Sequence, residues 1–298
     1  MNKIKSLKYR KCVATFMATI ITTLSVSYTQ NIQTDAVLST PEIVHYWRHD
    51  YNDSDYTTYD KYSLIVDGRS NAKTSKTVSN DMVRDTDTAV VRLDDGKDPC
   101  GGSGFIVGDH EIATVAHCVY NRTINKFLDF KISVIDENNK VIETISPHYV
   151  HINEDYETAR GDASPYDYAM IYVDEDLSPY GKFNIGIALD SYADKNGSVI
   201  VSGFPQKYPD GYDNKNWGIR FKAKGNIIGK TVDAFQYDAD VASGDSGGPV
   251  YIEEGIVVNG ELYEYKTVIA IHKASGNWGA KITPKLAKLY GDNPHKTK

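Results

Sequence analysis

Residues 100–118 read CGGSGFIVGDHEIATVAHC, a stretch in which two short apolar runs, SGFIVG and EIATVA, lie on either side of a polar turn. Similar runs recur from residue 89 onward, separated by turn residues: AVVRL, FKISVID, YAMIYV, SVIVSGF, GPVYI and KTVIAIH. No long stretch of helical periodicity intervenes. Many short strands at this spacing predict an all-β fold of antiparallel sandwiches or barrels rather than βαβ units.

One helix is predicted near the C-terminus, in the segment TPKLAKLYG. Thr283 suits the N-cap, Pro284 suits the first helical position, and Gly291 lies just past the end. The composition is that of an ordinary globular protein, with 24% charged and 41% hydrophobic residues among 298. Collagen-like, coiled-coil and polytopic membrane proteins are thereby excluded. The net charge of −7 argues against binding to nucleic-acid phosphates.

Residues 1–27 have the organisation of a secretory signal peptide. Five cations within residues 3–11 precede an uncharged apolar run, residues 12–26, that ends among small residues. The run is shorter than the roughly 20 residues that span a bilayer, which argues against the alternative of a membrane anchor. We therefore expect a secreted, extracellular protein with no membrane anchor, in a compartment where disulfides persist.

Residues 28–76 are rich in Tyr, Asp, Ser, Thr and Asn and lack sustained apolar periodicity. We interpret this segment as a propeptide. The alternative is a flexible N-terminal extension that stays attached to the protein. The folded domain is expected to occupy residues 77–298.

His117 is the first candidate catalytic residue, because it lies in the segment TVAHC directly before Cys118. Cys100 and Cys118 are the two cysteines that remain after signal removal, and an exported pair this close is expected to form a disulfide. Such a bridge would fix the backbone beside an imidazole that acts as a general base.

Ser246 is the candidate nucleophile, at the centre of the segment SGDSGGPV. A serine hydroxyl needs a neighbouring base, and the developing oxyanion needs backbone N–H donors, which we assign to Gly244 and Ser246. The same pattern occurs in the nucleophile elbow of α/β-hydrolases. That alternative requires alternating strands and helices, which this sequence lacks, and it leaves TVAHC unexplained.

The third member should be a buried carboxylate that orients the imidazole. Asp167 directly precedes the strand-like run YAMIYV, which places it at a buried strand end. Asp162 is the competing candidate. The chemistry of these three side chains requires no cofactor, and no zinc spacing or phosphate loop appears in the sequence; His148 and His151 are interpreted as surface residues rather than metal ligands.

These segments, in the order His, Asp, Ser, resemble the trypsin-like serine endopeptidases of the chymotrypsin fold. The likeness covers roughly residues 77–298 and is closest to the bacterial glutamyl endopeptidases, on the segments QYDADVASGDSG, SGFP and IAIHKASG. It implies two antiparallel six-stranded β-barrels, roughly residues 77–180 and 181–298, with the catalytic cleft between them. It also implies a monomeric enzyme that hydrolyses protein or peptide substrates through an acyl-enzyme.

The resemblance also assigns a specificity pocket. His272 corresponds to the histidine that binds the substrate carboxylate in the glutamyl branch, assisted by Ser243 and Ser275. Asp240 stands where trypsin carries the acid that selects Arg and Lys, and Val241 replaces a common pocket threonine. Cleavage after Glu, with Asp secondary, is therefore the expected preference, and cleavage after Arg or Lys through Asp240 is the alternative.

Asp245 corresponds to the acid that, in trypsin-like zymogens, pairs with the α-amino group released by propeptide cleavage. The family's usual interval places that cleavage near residues 75–78. A catalytically silent homologue that binds proteins through the same cleft is the competing hypothesis from another functional class. The intact set of His117, Asp167 and Ser246 favours an enzyme.

Overall fold

The computed structural model describes residues 43–46, 82–94, 101–160, 163–206, 218–258, 261–274, 276–283 and 286–287. Its contacts divide the chain into two compact units, Met1–Pro41 and Glu42–Lys298. The first unit, which contains the predicted signal peptide, lies outside the described residues. The fold and the site below therefore concern the second unit. In the part of the chain that is described, no helix is long and apolar enough to cross a membrane.

The described strands are short and follow the apolar runs of the sequence. They are β1 Ile43–Tyr46, β2 Val83–Arg84, β3 Val90–Asp94, β4 Gly102–Gly108, β5 Glu111–Thr114, β6 Tyr120–Asn121, β7 Lys126–Phe127, β8 Lys131–Ile135, β9 Val141–Ile145, β10 Tyr149–Ile152, β11 Ala169–Tyr172, β12 Asn184–Ala188, β13 Ser198–Gly203, β14 Phe221–Lys230, β15 Ala234–Tyr237, β16 Pro249–Val258, β17 Glu261–Ala274 and β18 Trp278–Lys281.

Short helical segments connect them. Among the described residues, two α-helices cover Glu154–Thr158 (α1) and Asp190–Asp194 (α2), and 3₁₀ turns cover Ala116–Cys118, Ser164–Tyr166 and Ser178–Tyr180. The predicted C-terminal helix is described only at Leu286 and Ala287. There the Leu286 amide donates to the Thr283 hydroxyl oxygen at 3.3 Å, as an N-cap requires.

The strands form two large sheets. The first has seven strands in the order β10-β11-β5-β4-β3-β8-β9, and β6 and β7 form a separate pair. The second has nine strands, of which six close into a barrel in the order β17-β16-β13-β14-β15-β18, because β18 also pairs with β17. β1 joins this sheet through β12, and β2 joins it through β14.

The predicted all-β, two-barrel fold is therefore confirmed in class, with one difference. The second barrel is closed, whereas the first is an open half-barrel whose outer strands are β9 and β10. The connection between these two strands contains Pro147, which has no N–H to donate, and the His148 amide bonds to the Tyr172 carbonyl of β11 instead of to β9.

Aromatic side chains connect the two sheets. Phe183 packs edge-on against Phe105 of the first sheet at 5.7 Å and against Tyr251 of the second at 5.2 Å. All three rings are at most 3% exposed. Burial of this much apolar surface stabilises the arrangement of the two sheets, on which the relative positions of the functional residues depend.

Candidate active site

His117 and Asp167 meet because two neighbouring strands of the first sheet end beside each other. β5 and β11 are antiparallel with Thr114 opposite Ala169, so the chain that leaves β5 passes the chain that enters β11. The Asp167 carboxylate binds His117 at two points. Oδ1 accepts from the His117 backbone N–H at 2.9 Å, and Oδ2 lies 2.7 Å from ring Nδ1. This leaves Nε2 as the ring nitrogen available for proton transfer.

The environment of His117 favours the protonated ring. Burial alone would lower its pKa, but the adjacent Cys118 sulfur and the Asp167 carboxylate outweigh that effect and raise the pKa well above 6.5. The side chain is still 38% exposed, so a substrate can approach it. An imidazole with this environment readily accepts a proton.

Ser246 is anchored beside this pair through its backbone. Its carbonyl oxygen accepts from the Ser103 amide at 2.7 Å, and the Cys118 Sγ lies 3.6 Å from the same oxygen. The loop that carries Ser246, residues 242–248, is called the nucleophile loop. It therefore contacts Cys118, the residue that follows His117. Within the described part of the chain, no hydrogen bond joins the Ser246 hydroxyl to the His117 ring, a bond that is often loose before substrate binds.

The turn before Ser246 depends on glycine. Gly244 has φ 99°, and the Asp245 amide bonds to the Ala242 carbonyl at 3.2 Å, as in a type II turn. A Cβ at Gly244 would lie 2.3 Å from the Phe204 carbonyl oxygen, so no larger residue fits. The Ser243 carbonyl accepts from the Gln206 amide at 2.6 Å, and the Gly244 N–H points the opposite way across the trans peptide.

The predicted Cys100–Cys118 disulfide is not formed. Cys118 is a free, buried cysteine, and Cys100 lies outside the described residues. The thiol faces the backbone of Gly102, where an added Cβ would lie only 2.4 Å from Sγ. The backbone beside His117 is held instead by β5, by the 3₁₀ turn and by Asp167.

His272 lies on β17, next to the nucleophile loop. Its carbonyl accepts from the Gly247 amide at 2.8 Å, and its amide donates to the Gly248 carbonyl at 2.9 Å. The ring is 1% exposed and its Nδ1 lies 2.5 Å from the Tyr237 hydroxyl oxygen. Burial, and then the nearby His117 ring, lower the pKa of His272 to about 3, so this ring is neutral.

Tyr237 is a site residue that the sequence analysis missed. It lies at the end of β15, inside the closed barrel, and is 0% exposed. Burial, followed by the charge of Asp245, raises its pKa well above 10, so the hydroxyl keeps its proton. The available signal was the tyrosine in QYDADVASGDSG, but the contact depends on β15 and β17 pairing with opposite edges of β18, which spacing alone does not give.

The other predicted pocket residues differ in exposure. Ser243 is exposed, whereas Val241 and Asp240 are 1% and 2% exposed. Ser275, like the alternative acid Asp162, lies outside the described residues. The structure therefore brings His272 and Tyr237 together and buries Asp240.

Asp245 directly precedes Ser246 in the nucleophile loop, and its side chain is buried, at 2% exposed. Its Oδ2 accepts from the Ala242 amide at 2.8 Å, and its Oδ1 has no hydrogen-bond partner among the described residues. Burial raises the pKa of this carboxyl to about 8, although the bond from Ala242 acts in the opposite direction. A buried acid with an unsatisfied oxygen is suited to a cationic partner.

Comparison with known proteins supports the same fold. A family model described as Trypsin matches residues 65–283, beginning within the predicted propeptide. Among solved structures, the chain is similar to a Glu endopeptidase in complex with MPD, with a TM-score of 0.56 and 15% identity over 72% of this chain and 97% of that one. At that identity the likeness concerns the fold. A search of curated proteins found no match. Because the family model spans most of the sequence, the chain belongs to the trypsin family of serine proteases.

Proposed function

We propose that this protein is a secreted serine endopeptidase that cleaves after Glu, and after Asp secondarily. Ser246 attacks the scissile carbonyl, and His117 takes its proton and later transfers it to the leaving amine. Asp167 holds the His117 ring, and the Gly244 and Ser246 amides stabilise the oxyanion. The observation that best supports this reaction is the double contact between Asp167 and His117, beside the anchored backbone of Ser246.

A neutral His272 with a fixed tautomer supports the Glu preference. The Tyr237 hydroxyl stays protonated and donates a hydrogen bond to Nδ1, which leaves the ring proton of His272 on Nε2. An Nε2–H group can donate to a substrate carboxylate, and hydrogen bonds to a charged acceptor are the stronger kind. Since the strand that carries His272 pairs with the nucleophile loop, this donor and Ser246 belong to one site.

Digestion of an unfolded protein mixture by the mature enzyme tests the preference. Cuts after Glu, lost in His272→Ala and kept in Asp240→Ser, support the proposal. Cuts after Arg and Lys that disappear in Asp240→Ser would establish the alternative pocket. Labelling by a fluorophosphonate probe, with Ser246→Ala as the negative control, separates an enzyme from a silent homologue that only binds proteins. An unlabelled mature protein would contradict catalysis.

We further propose that the protein is made as a zymogen and that Asp245 receives the new N-terminus. The Met82 segment runs near this acid, because the Ser202 hydroxyl bonds to Asp85 at 2.5 Å. The next residue, Gly203, is so close to Asp245 that an added Cβ would lie 2.7 Å from Oδ1. A terminus formed at Val78 precedes Met82 by four residues, a reach of about 13 Å. N-terminal sequencing of protein from the culture medium tests both secretion and this cleavage.

A further inference from the structure

Lys273 is a buried lysine next to the specificity histidine. It follows His272 on β17 and is 5% exposed. The pairing of β17 with β18 is irregular between His272 and Ala274, so Lys273 lies at a break in the ladder. Its Nζ donates at 2.9 Å to the Ser164 carbonyl oxygen, 109 residues earlier in the chain. The side chain therefore links the second sheet to the 3₁₀ turn Ser164–Tyr166.

Asp167, which binds His117, directly follows that turn in the chain. The Asp167 amide donates to the same Ser164 oxygen at 3.4 Å, so the Lys273 ammonium and the Asp167 N–H meet on one acceptor. The bond from the amide is long for a backbone hydrogen bond, and the residues of the turn are only partly buried. The bond that the Ser164 oxygen receives from the Asp167 amide is therefore weak, and a charged donor from another strand supplies a stronger one.

A buried ammonium is costly to desolvate unless it is hydrogen-bonded, and the Ser164 carbonyl supplies one such bond. The strand of Lys273 also holds the nucleophile loop, through the backbone of His272 with Gly247 and Gly248. β17 thus contacts both the turn that carries Asp167 and the loop that carries Ser246.

We propose that Lys273 is a positioning residue of the catalytic site, which holds the Ser164–Tyr166 turn so that the Asp167 carboxylate stays on His117. The proposal concerns the catalytic machinery of the trypsin-family enzyme and does not depend on the Glu preference. Displacement of a positioned group by about 1 Å costs on the order of 10²-fold in rate. We therefore expect Lys273→Met to slow acylation by about 10- to 100-fold.

The pH dependence of acylation distinguishes positioning from a simple charge effect. The groups that act on His117 are Asp167, Cys118 and the His272 ring. Tyr156, which interacts with the Asp167 carboxylate, is also under the charge of Arg122. Loss of the Lys273 cation with Asp167 in place would raise the pKa of His117 or leave it unchanged, because a nearby positive charge disfavours imidazolium. Loss of the carboxylate contact would lower that pKa.

The rate of fluorophosphonate labelling between pH 5 and pH 10 measures this, and it is independent of substrate preference. Lys273→Met should move the acid limb of the profile to lower pH, and Lys273→Arg should restore most of the rate. Lys266→Met is the matched control, since Lys266 lies on the same strand but pairs with Asp87. It should leave the limb in place.

A folded Lys273→Met variant with an unmoved or higher limb would overturn the proposal. If that variant does not fold, Lys273→Ala decides, because it removes both the charge and the hydrogen bond to the Ser164 oxygen. An acid limb at lower pH than in the wild type supports positioning, and an acid limb at the same or a higher pH refutes it. The His117 ring-proton NMR signal gives the same pKa without turnover, so loss of activity from another cause is recognised.

Discussion

The Asp167 carboxylate binds both the backbone and the ring of His117, with Oδ1 2.9 Å from the amide nitrogen and Oδ2 2.7 Å from Nδ1. One side chain thus fixes the position of the residue as well as the orientation of its imidazole. The relationship relies on two oxygens that both accept, which only a carboxylate provides.

Asp167→Asn should therefore lower kcat/KM by about 10⁴-fold, because the amide has one acceptor and its NH₂ group favours the wrong imidazole tautomer. The measurement is hydrolysis of a peptide substrate under first-order conditions. Asp174→Asn is the control, since Asp174 contacts the ring of His148 at 3.1 Å in a pair whose side chains are 53% and 80% exposed. A comparable loss in both variants would show that the effect is not specific to the site.

Cys118→Ala should move the acid limb of the kcat/KM profile to lower pH. The Cys118 sulfur is the strongest of the groups that raise the pKa of His117, so its removal lowers that pKa. The base is then neutral, and hence active, at a lower pH. Val119→Ala serves as the control because it truncates a fully buried apolar neighbour of His117 and so tests the effect of lost packing. An equal shift in both variants would assign the effect to packing.

The stability of the uncleaved protein should fall as the pH rises from about 4 to about 8. Asp245 has a folded pKa of about 8 against an ordinary 3.8, so in this window the folded chain keeps a proton that the unfolded chain releases. An α-ammonium paired with Asp245 would lower the folded pKa and remove the dependence in the mature enzyme.

Urea unfolding of the Ser246→Ala protein, before and after processing, measures this difference without self-digestion. Asp245→Asn in the uncleaved form should flatten the curve as processing does. The same pH slope in the uncleaved and processed proteins would argue against a salt bridge between the new terminus and Asp245.

Tyr237→Phe should reduce the preference for Glu over a neutral residue by about tenfold, the equivalent of one hydrogen bond of about 1.4 kcal/mol. Without the Tyr237 hydroxyl, nothing holds the His272 proton on Nε2. The ratio of kcat/KM for paired Glu and Gln substrates is the measurement, and probe labelling should be unchanged. Tyr251→Phe is the control, because its 0% exposed hydroxyl has no hydrogen-bond partner in the described part of the chain. An unchanged ratio in Tyr237→Phe would refute the tautomer argument.

Local patterns in the sequence were sufficient to predict the fold class and the residue types suited to acyl transfer. Alternation of short apolar runs and turn residues predicts strands because the side-chain period of a strand is two, and a threonine before proline predicts a helix start at Thr283. The order of His117, Asp167 and Ser246 requires no coordinates, since each lies in a segment whose residue types suit one role in acyl transfer.

Tertiary structure alone decided the contacts between distant segments. The register of β5 and β11 places Asp167 on His117, and β18 closes the second barrel whereas β9 and β10 leave the first one open. The Cys118 thiol faces Gly102 instead of forming a bridge. Tyr237 reaches His272 across 35 residues, and Lys273 reaches Ser164 across 109. Such pairs depend on which strands become neighbours and on the face of the sheet from which each side chain projects. A sequence pattern confined to one segment does not specify either of these.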